Sequence, residues 1–247
     1  MIRVEKGYAH THVKLVRHTQ TDWNREGRYQ SRSDRPLTRF GRARAEAVAA
    51  RLRRGVYTAV VSTGLSRTDG LADLVEGERR GRDERWREVD HGVWEGLSHN
   101  EVSLSYGEQA RRRFGDFWNS QAHGGESGAD LWERVEAAWE DLLREHAGGR
   151  ALVVTHGAPI RLLLCSLLGV PFTAHWRFRT DLGGVTALDI YPSAAILRTM
   201  NEVPPLREAH EAHEAQEAGA RWAFPVGSPS TDDSDDSDET GEETDAG

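Results

Sequence analysis

The stretch "VKLVRHTQTDWN", residues 13–24, drives an apolar run straight into an Arg-His pair, Arg17-His18. Two other apolar runs end the same way. "YTAVVST" leads into "GLSR", which delivers Arg67, and "RALVVT" leads into His156-Gly157. A guanidinium is a planar fork that matches phosphate oxygens, and an imidazole can serve as nucleophile or donor. One such residue after a strand is ordinarily a satisfied structural side chain. Three strand ends that each carry one, each followed by a helix, point to an anion site. In open α/β sheets ligands sit outside the carboxyl ends of the strands, where helix N-termini offer free N–H groups and a positive dipole end. Arg17, His18, Arg67 and His156 can therefore meet in one pocket.

The elements that must position them follow from hydrophobic periodicity. "HVKLVRH" and "YTAVVST" read as buried strands, and "RALVVTHG" shows the unbroken apolar run of a strand covered on both faces. "PLTRFGRARAEAVAARL" reads as a helix with Thr38 as N-cap and Phe40, Ala43, Ala47, Val48 and Leu52 on its apolar face. "GLSRTDGLADLVEG" reads as a second helix, and "ERWREVDHGVWEGLS" as mostly loop. Residues 100–144 look helical, broken by "AHGGESGAD". "APIRLLLCSLLGV" reads as a buried helix with Pro159 in its first turn, and "GGVTALDIYP" with "SAAILRTM" as a closing hairpin. Strands alternating with helices predict a three-layer α/β/α sandwich with a mostly parallel central sheet. A helical insertion separates the 84–98 loop from the "RALVVT" strand.

With these residues in place, the chain resembles the histidine phosphatase superfamily, also called phosphoglycerate-mutase-like, in its phosphatase branch. "LVRHTQTDWN" is similar to the family's Arg-His-Gly motif, and "GRYQSRSDRPLTRFGRARAEAVAARL" to the segment after it. "VVSTGLSRT", "WREVDHGVWEGLS" and "LVVTHGAPIRLLL" are similar to the segments carrying its second Arg, its acid and its second His, and "GGESGADLWERV" is also like the family. The resemblance spans residues 12–200. It implies His18 as the nucleophile, and Arg17, Arg67 and His156 as holders of the phosphoryl oxygens. It implies Glu88 as general acid and base, and Asn24, Gln30 and Gly157 as further substrate contacts. Three positions depart from the pattern: Thr19 stands where the motif has Gly, Gln20 where Glu is frequent, and Ser31 where Gly is frequent. Thr19 is expected to be tolerated, its side chain turned from the phosphate.

The implied chemistry needs these types. Phosphomonoester hydrolysis is among the slowest uncatalysed reactions, with enzymatic accelerations up to about 10²¹. Preplaced cations stabilise charge on the equatorial oxygens. Neighbouring cations hold the nucleophilic His neutral, and a bound phosphate favours the protonated carboxyl that the leaving alkoxide requires. The scheme calls for no metal and no cofactor. The implied function is a metal-independent phosphomonoester hydrolase acting on a small phosphorylated metabolite. The alternatives are a phosphoglycerate mutase, disfavoured by the short segment between Glu88 and His156, and a weakly catalytic phospho-ligand-binding scaffold. Sugar phosphates, phosphoglycerate derivatives, nucleotides and α-ribazole phosphate all remain open as substrates.

Composition narrows the partners. The 247 residues carry a net charge of −8, but nine of the 40 acidic residues lie in 228–247, which holds no Lys or Arg. The remaining 31 acids meet 32 bases, so the body is near neutral, against a nucleic-acid binder. No run approaches the ~20 apolar residues of a membrane span, and the N-terminus lacks a signal-peptide core, so a cytoplasmic protein is expected. A homo-oligomer is left open. The expected organisation is a catalytic domain over 1–203, a polar helix or linker over 204–224, and a disordered acidic tail over 225–247. Cys165, the only cysteine, is expected to be a small buried hydrophobe. Trp86, Trp94, Trp118, Trp132 and Trp139 are expected as core or cap residues, of which one or two could line a substrate pocket. Arg111–Arg113 read as a solvated helix face that could instead meet a second anionic group of the substrate. His10 and His12 show no carboxylate nearby in sequence and carry no expectation of a metal.

Overall fold

The computed structural model describes residues 10–52 and 56–206. The domain boundary within 204–224 and the acidic tail fall largely outside those residues. The strands are β1 (Thr11–Arg17), β2 (Tyr57–Ser62), β3 (Gly77–Arg82), β4 (Arg150–Thr155), β5 (Val185–Tyr191) and β6 (Ala194–Glu202). The helices are α1 (Asp22–Arg25), α2 (Arg39–Leu52), α3 (Ser66–Ala72), α4 (His99–Ser105), α5 (Gly107–Gly115), α6 (Gly128–Glu145) and α7 (Gly157–Leu168). One sheet runs in the order β3-β2-β4-β1-β5-β6. β3, β2, β4 and β1 are mutually parallel, and β5 pairs antiparallel with both β1 and β6. The three-layer sandwich, the helical insertion (α4 and α5) and the closing hairpin are all as the sequence predicts.

Side-chain alternation along the strands makes the layers. Val13 and Leu15 of β1 and Ala151 and Val153 of β4 pack with Leu131, Val135 and Trp139 of α6 and Ile160 and Leu164 of α7. Val16, Leu152 and Val154 turn the other way, onto Ala45, Val48 and Leu52 of α2 and Leu71 of α3. Burying both faces is why β4 shows no polar alternation. A smaller cluster of Tyr29, Trp94, Val102, Ala110 and Ala122 joins the insertion to the loop after β1. Cys165 is fully buried and its thiol is pushed up to about 11 by burial. Trp86, Trp94, Trp132 and Trp139 are buried, and Trp118 is half-buried, stacked on Phe172.

Two expectations need correction. The segment read as one helix over 64–77 ends at Ala72, and Gly77–Arg82 forms β3. "GERRGR" has no apolar residue to give a period; it is a strand because its backbone pairs with the edge of β2, and Gly77 fits there because a Cβ would stand 2.6 Å from Val60 Cγ2. In α2 the buried positions are Gly41, Arg44, Ala45, Val48, Ala49 and Leu52, so the face lies about one position from the expected one. Phe40 instead rests under the Arg44 guanidinium. The Thr38 cap is as expected: its Oγ1 accepts the Gly41 N–H at 2.9 Å.

Candidate active site

β1 and β4 pair in parallel with Arg17 opposite Thr155. The next residue on each strand is a histidine, so His18 and His156 stand side by side, ring centroids 5.0 Å apart. β2 ends beside β4, and the turn after it starts α3 with Arg67 in its first turn. Three carboxyl ends thus converge on one pocket.

His18 is buried, and its Nδ1 lies 2.8 Å from the Thr19 carbonyl. A carbonyl only accepts, so Nδ1 carries the proton and the neutral ring keeps its lone pair on Nε2. Burial first, then Arg67 and Arg17, hold this imidazole well below its ordinary pKa. The ring is neutral at neutral pH, with Nε2 making no hydrogen bond among the described residues.

Thr19 turns away from this pocket. Its hydroxyl donates to the Gly41 carbonyl at 2.7 Å. Gly41 must be glycine because a Cβ there would overlap the Gln20 carbonyl oxygen. The start of α2 thereby packs directly on the backbone of the Arg-His loop. Thr38 adds a hydrogen bond to Gln20 Oε1 at 2.7 Å.

Arg17 donates Nη1 to the Thr180 carbonyl at 2.7 Å. Arg67 is fully buried; Nη1 and Nη2 donate to the Ser33 and Ser31 carbonyls at 2.8 and 2.7 Å. His156 Nε2 lies 3.2 Å from Thr63 Oγ1. Yet Arg17 Nε, Arg67 Nε, His156 Nδ1 and Gln30 Nε2 are buried without a hydrogen-bond partner. A buried polar group left unmade costs about 1–3 kcal/mol, so these orphaned groups suit a polar ligand. Burial pushes Arg67 down to about 10, only partly offset by Glu88, Glu95 and Asp34. His156 sits well below its ordinary pKa through burial, then Arg67, His18 and Arg17.

Glu88 lies at the N-terminus of α7. Its Oε2 accepts the Gly157 N–H at 3.0 Å, and its Oε1 accepts those of Ala158 at 3.1 Å and Val89 at 3.0 Å. Gly157, expected to bind substrate, gives its N–H to Glu88 at 3.0 Å. Asn24 Oδ1 accepts from the Thr21 backbone and hydroxyl in the cap of α1, which leaves its amino group for other partners. The single Thr21 hydroxyl proton is shared between Asn24 Oδ1 and Gln30 Oε1, the latter at 2.7 Å.

Several site residues carried no role in the sequence reading. Glu95 accepts the N–H groups of Ser31 and Ser33 and the Ser31 hydroxyl, fixing the carbonyls that hold Arg67. Ser31 thus gains a bond that glycine would lack. Burial opposes the Glu95 charge, but these donors prevail and its carboxyl lies below the usual range. Arg161 was legible as the one cation in an apolar helix. Arg111 and Arg112 are exposed as expected of a solvated face, whereas Arg113 is 4 % exposed. Asp189 of β5 pairs opposite His12 and accepts from its Nδ1 at 2.6 Å, so the carboxylate absent from the local sequence comes from the neighbouring strand.

The model of the histidine phosphatase superfamily (branch 1) matches residues 13–203. The chain belongs to that superfamily, and it is an enzyme of the phosphatase type. Among curated relatives it is 32 % identical over 190 residues to phosphoserine phosphatase 1 of Hydrogenobacter thermophilus, covering 76 % of this chain and 90 % of the relative. It is 34 % identical over 184 residues to a probable phosphoglycerate mutase, GpmB, of Salmonella choleraesuis, covering 73 % and 86 %. Among solved structures, the α-ribazole phosphatase of Shigella flexneri superposes with a TM-score of 0.72 at 27 % identity, covering 80 % of this chain and 99 % of that one. A mycobacterial glucosyl-3-phosphoglycerate phosphatase gives 0.69 at 26 %, covering 78 % and 99 %. No helix among the described residues is long and apolar enough to cross a membrane.

Proposed function

We propose that this chain hydrolyses a phosphomonoester of a small metabolite through a phosphohistidine on His18, without a metal. The observation that supports it is the neutral His18, its Nε2 lone pair uncommitted, beside the buried unpartnered Nε groups of Arg17 and Arg67. The His18 Nε2 lone pair attacks phosphorus as the P–O ester bond breaks, and Glu88 gives its proton to the departing alkoxide. Arg17 and Arg67 balance the charge on the equatorial oxygens, and the neutral His156 serves as a hydrogen-bond donor to them. Glu88, now a carboxylate, takes a proton from water; the hydroxide forms the new P–O bond, the N–P bond breaks, and phosphate leaves. The cations already present supply the charge that a metal would bring.

The test is hydrolysis of p-nitrophenyl phosphate in EDTA, with rapid quench. Turnover and an acid-labile phosphate on His18, both lost in His18→Ala, are expected. Full activity of His18→Ala would remove the mechanism. The similarity to a probable phosphoglycerate mutase favours a second reading. Interconversion of 3- and 2-phosphoglycerate faster than phosphate release would select it.

A further inference from the structure

The amino end of β1 carries a second cluster of chemistry-bearing side chains. His10 and His12 have no acid near them in sequence, and the sheet supplies one. At the period of two of an extended chain, both imidazoles fall on one face. β5 pairs antiparallel with β1, with Asp189 opposite His12. Residues opposite each other across two strands share a face, so the carboxylate comes up beside both rings. His12 Nδ1 lies 2.6 Å from Asp189 Oδ1, and His10 Nε2 lies 3.8 Å from the same oxygen. The three ligand atoms all stand within 4.8 Å of one another.

Hydrogen bonding accounts for only part of this arrangement. At 3.8 Å the His10 nitrogen is beyond hydrogen-bond reach of the carboxylate. That Nε2 is nevertheless buried, with no hydrogen-bond partner among the described residues. Stacking sets the ring where it is: His10 lies on Tyr191 with centroids 4.2 Å apart and planes 9° from parallel, and its centroid is 4.3 Å from that of His12. Two ligands of one tetrahedral ion, each about 2.0–2.1 Å from it, stand about 3.3 Å apart. The 2.6 and 3.8 Å separations bracket that spacing. Asp189 is 4 % exposed, and Arg198 holds its Oδ2 at 3.0 Å, which orients the carboxylate and leaves Oδ1 toward the two rings. The Arg198 side chain is itself 61 % exposed, so water screens its charge from an incoming cation.

We propose that His10, His12 and Asp189 form a binding site for a divalent transition-metal ion, and that the ion is Zn²⁺. Two imidazole nitrogens and one carboxylate oxygen are a donor set that zinc accepts, with water in the fourth place. Mg²⁺ and Ca²⁺ take oxygen ligands and are poorly served by two imidazoles. The ion takes the place of the proton between His12 Nδ1 and Asp189 Oδ1, and the neutral ring carries its proton on Nε2 instead. Bound there, it ties the chain entering β1 to β5. His12 and His18 are six residues apart in sequence, which is about 20 Å along an extended strand. The site therefore stands apart from the phosphoryl cluster, and neither reading depends on the other.

The test is calorimetric titration of Zn²⁺ alone into the full chain, after EDTA treatment and removal of the chelator. One equivalent should bind with a Kd at or below about 10 µM. His10→Ala, which removes a ring that makes no hydrogen bond, should weaken that equivalent by at least the ~10- to 100-fold that losing a partner behind a ligand costs. His210 and His213, also close in sequence, serve as the control, and His210→Ala/His213→Ala should leave it unchanged. X-ray absorption at the zinc edge of the wild-type complex should show two imidazoles with oxygen. A wild-type chain with no equivalent tighter than about 10 µM overturns the proposal without any variant. So does a tight equivalent that His10→Ala leaves unchanged, or one that the control abolishes. Circular dichroism establishes that each variant folds. The wild-type edge spectrum decides even where one does not: sulfur, or more than two imidazoles, places the ion elsewhere and overturns the site.

Discussion

Glu88 Oε2 accepts the backbone N–H of Gly157 at 3.0 Å, so the carboxylate expected to move protons also occupies the N-terminus of α7. The position suits an anion, since the helix dipole and free N–H groups favour negative charge there. It places the carboxylate one residue from His156 and next to Arg161, where a leaving oxygen can reach it.

Glu88→Gln keeps an oxygen for the helix N–H groups but loses the transferable proton. Hydrolysis of alkyl phosphates should fall by about 10²- to 10³-fold, within the usual range for one general acid. Hydrolysis of p-nitrophenyl phosphate, whose leaving group scarcely needs a proton, should fall by less than about tenfold in its phosphorylation step. Single-turnover kinetics on both esters measure the split; equal losses would take the acid role from Glu88.

Thr19→Gly should retain turnover within about tenfold, below ~1.4 kcal/mol in transition-state energy. The hydroxyl is spent on the Gly41 carbonyl at 2.7 Å, away from the phosphoryl cluster. Stability should drop by about 1–2 kcal/mol, through the lost hydrogen bond and the freer unfolded chain. Saturating aryl-phosphate kinetics and a thermal melt read the two effects separately. A loss of 10²-fold in turnover would instead show the hydroxyl acting on the phosphate.

Gly41→Ala should destabilise the fold by about 3 kcal/mol or more, since backbone rather than a flexible side chain stands in the way of the new methyl. The Gln20 carbonyl oxygen occupies that space. Because Gln20 follows the Arg-His loop, activity should fall with stability. Denaturant unfolding against an Ala43→Gly control measures it; a change under about 1 kcal/mol would contradict the close approach.

Acid should destabilise the protein from about pH 6.5 downward. His18 and His156 have folded pKa values depressed well below 6.5, first by burial and then by neighbouring arginines. Below 6.5 the unfolded chain binds protons that the folded site refuses, so stability rises with pH there and is lost as pH falls, by up to about 1.4 kcal/mol per unit for each imidazole. His18→Gln should flatten the decline between pH 6.5 and 5. For the same reason, the acid limb of kcat/KM set by His18 should fall below the ordinary histidine range. Melting temperature and kcat/KM against pH test both signs.

Much of this molecule was legible in its residues. The apolar runs of β1, β2 and β4 and the Arg or His after each name the strands and the ends that matter, because a strand buried on both faces has no choice of composition. Thr38 named the start of α2 through the hydrogen bond it supplies to Gly41. What the sequence left undecided was what distant segments do to one another. β3 has no apolar side chain and exists through pairing with β2. Thr19 is expected to turn from the phosphate, but its partner, the Gly41 carbonyl, comes from a distant segment. Glu95 orders the carbonyls of a third segment that hold Arg67. Arg113 shares a run with Arg111 and Arg112 yet is buried where they are exposed. Local composition sets which elements form; the charge balance of a pocket depends on which side chains the folded sheet brings together.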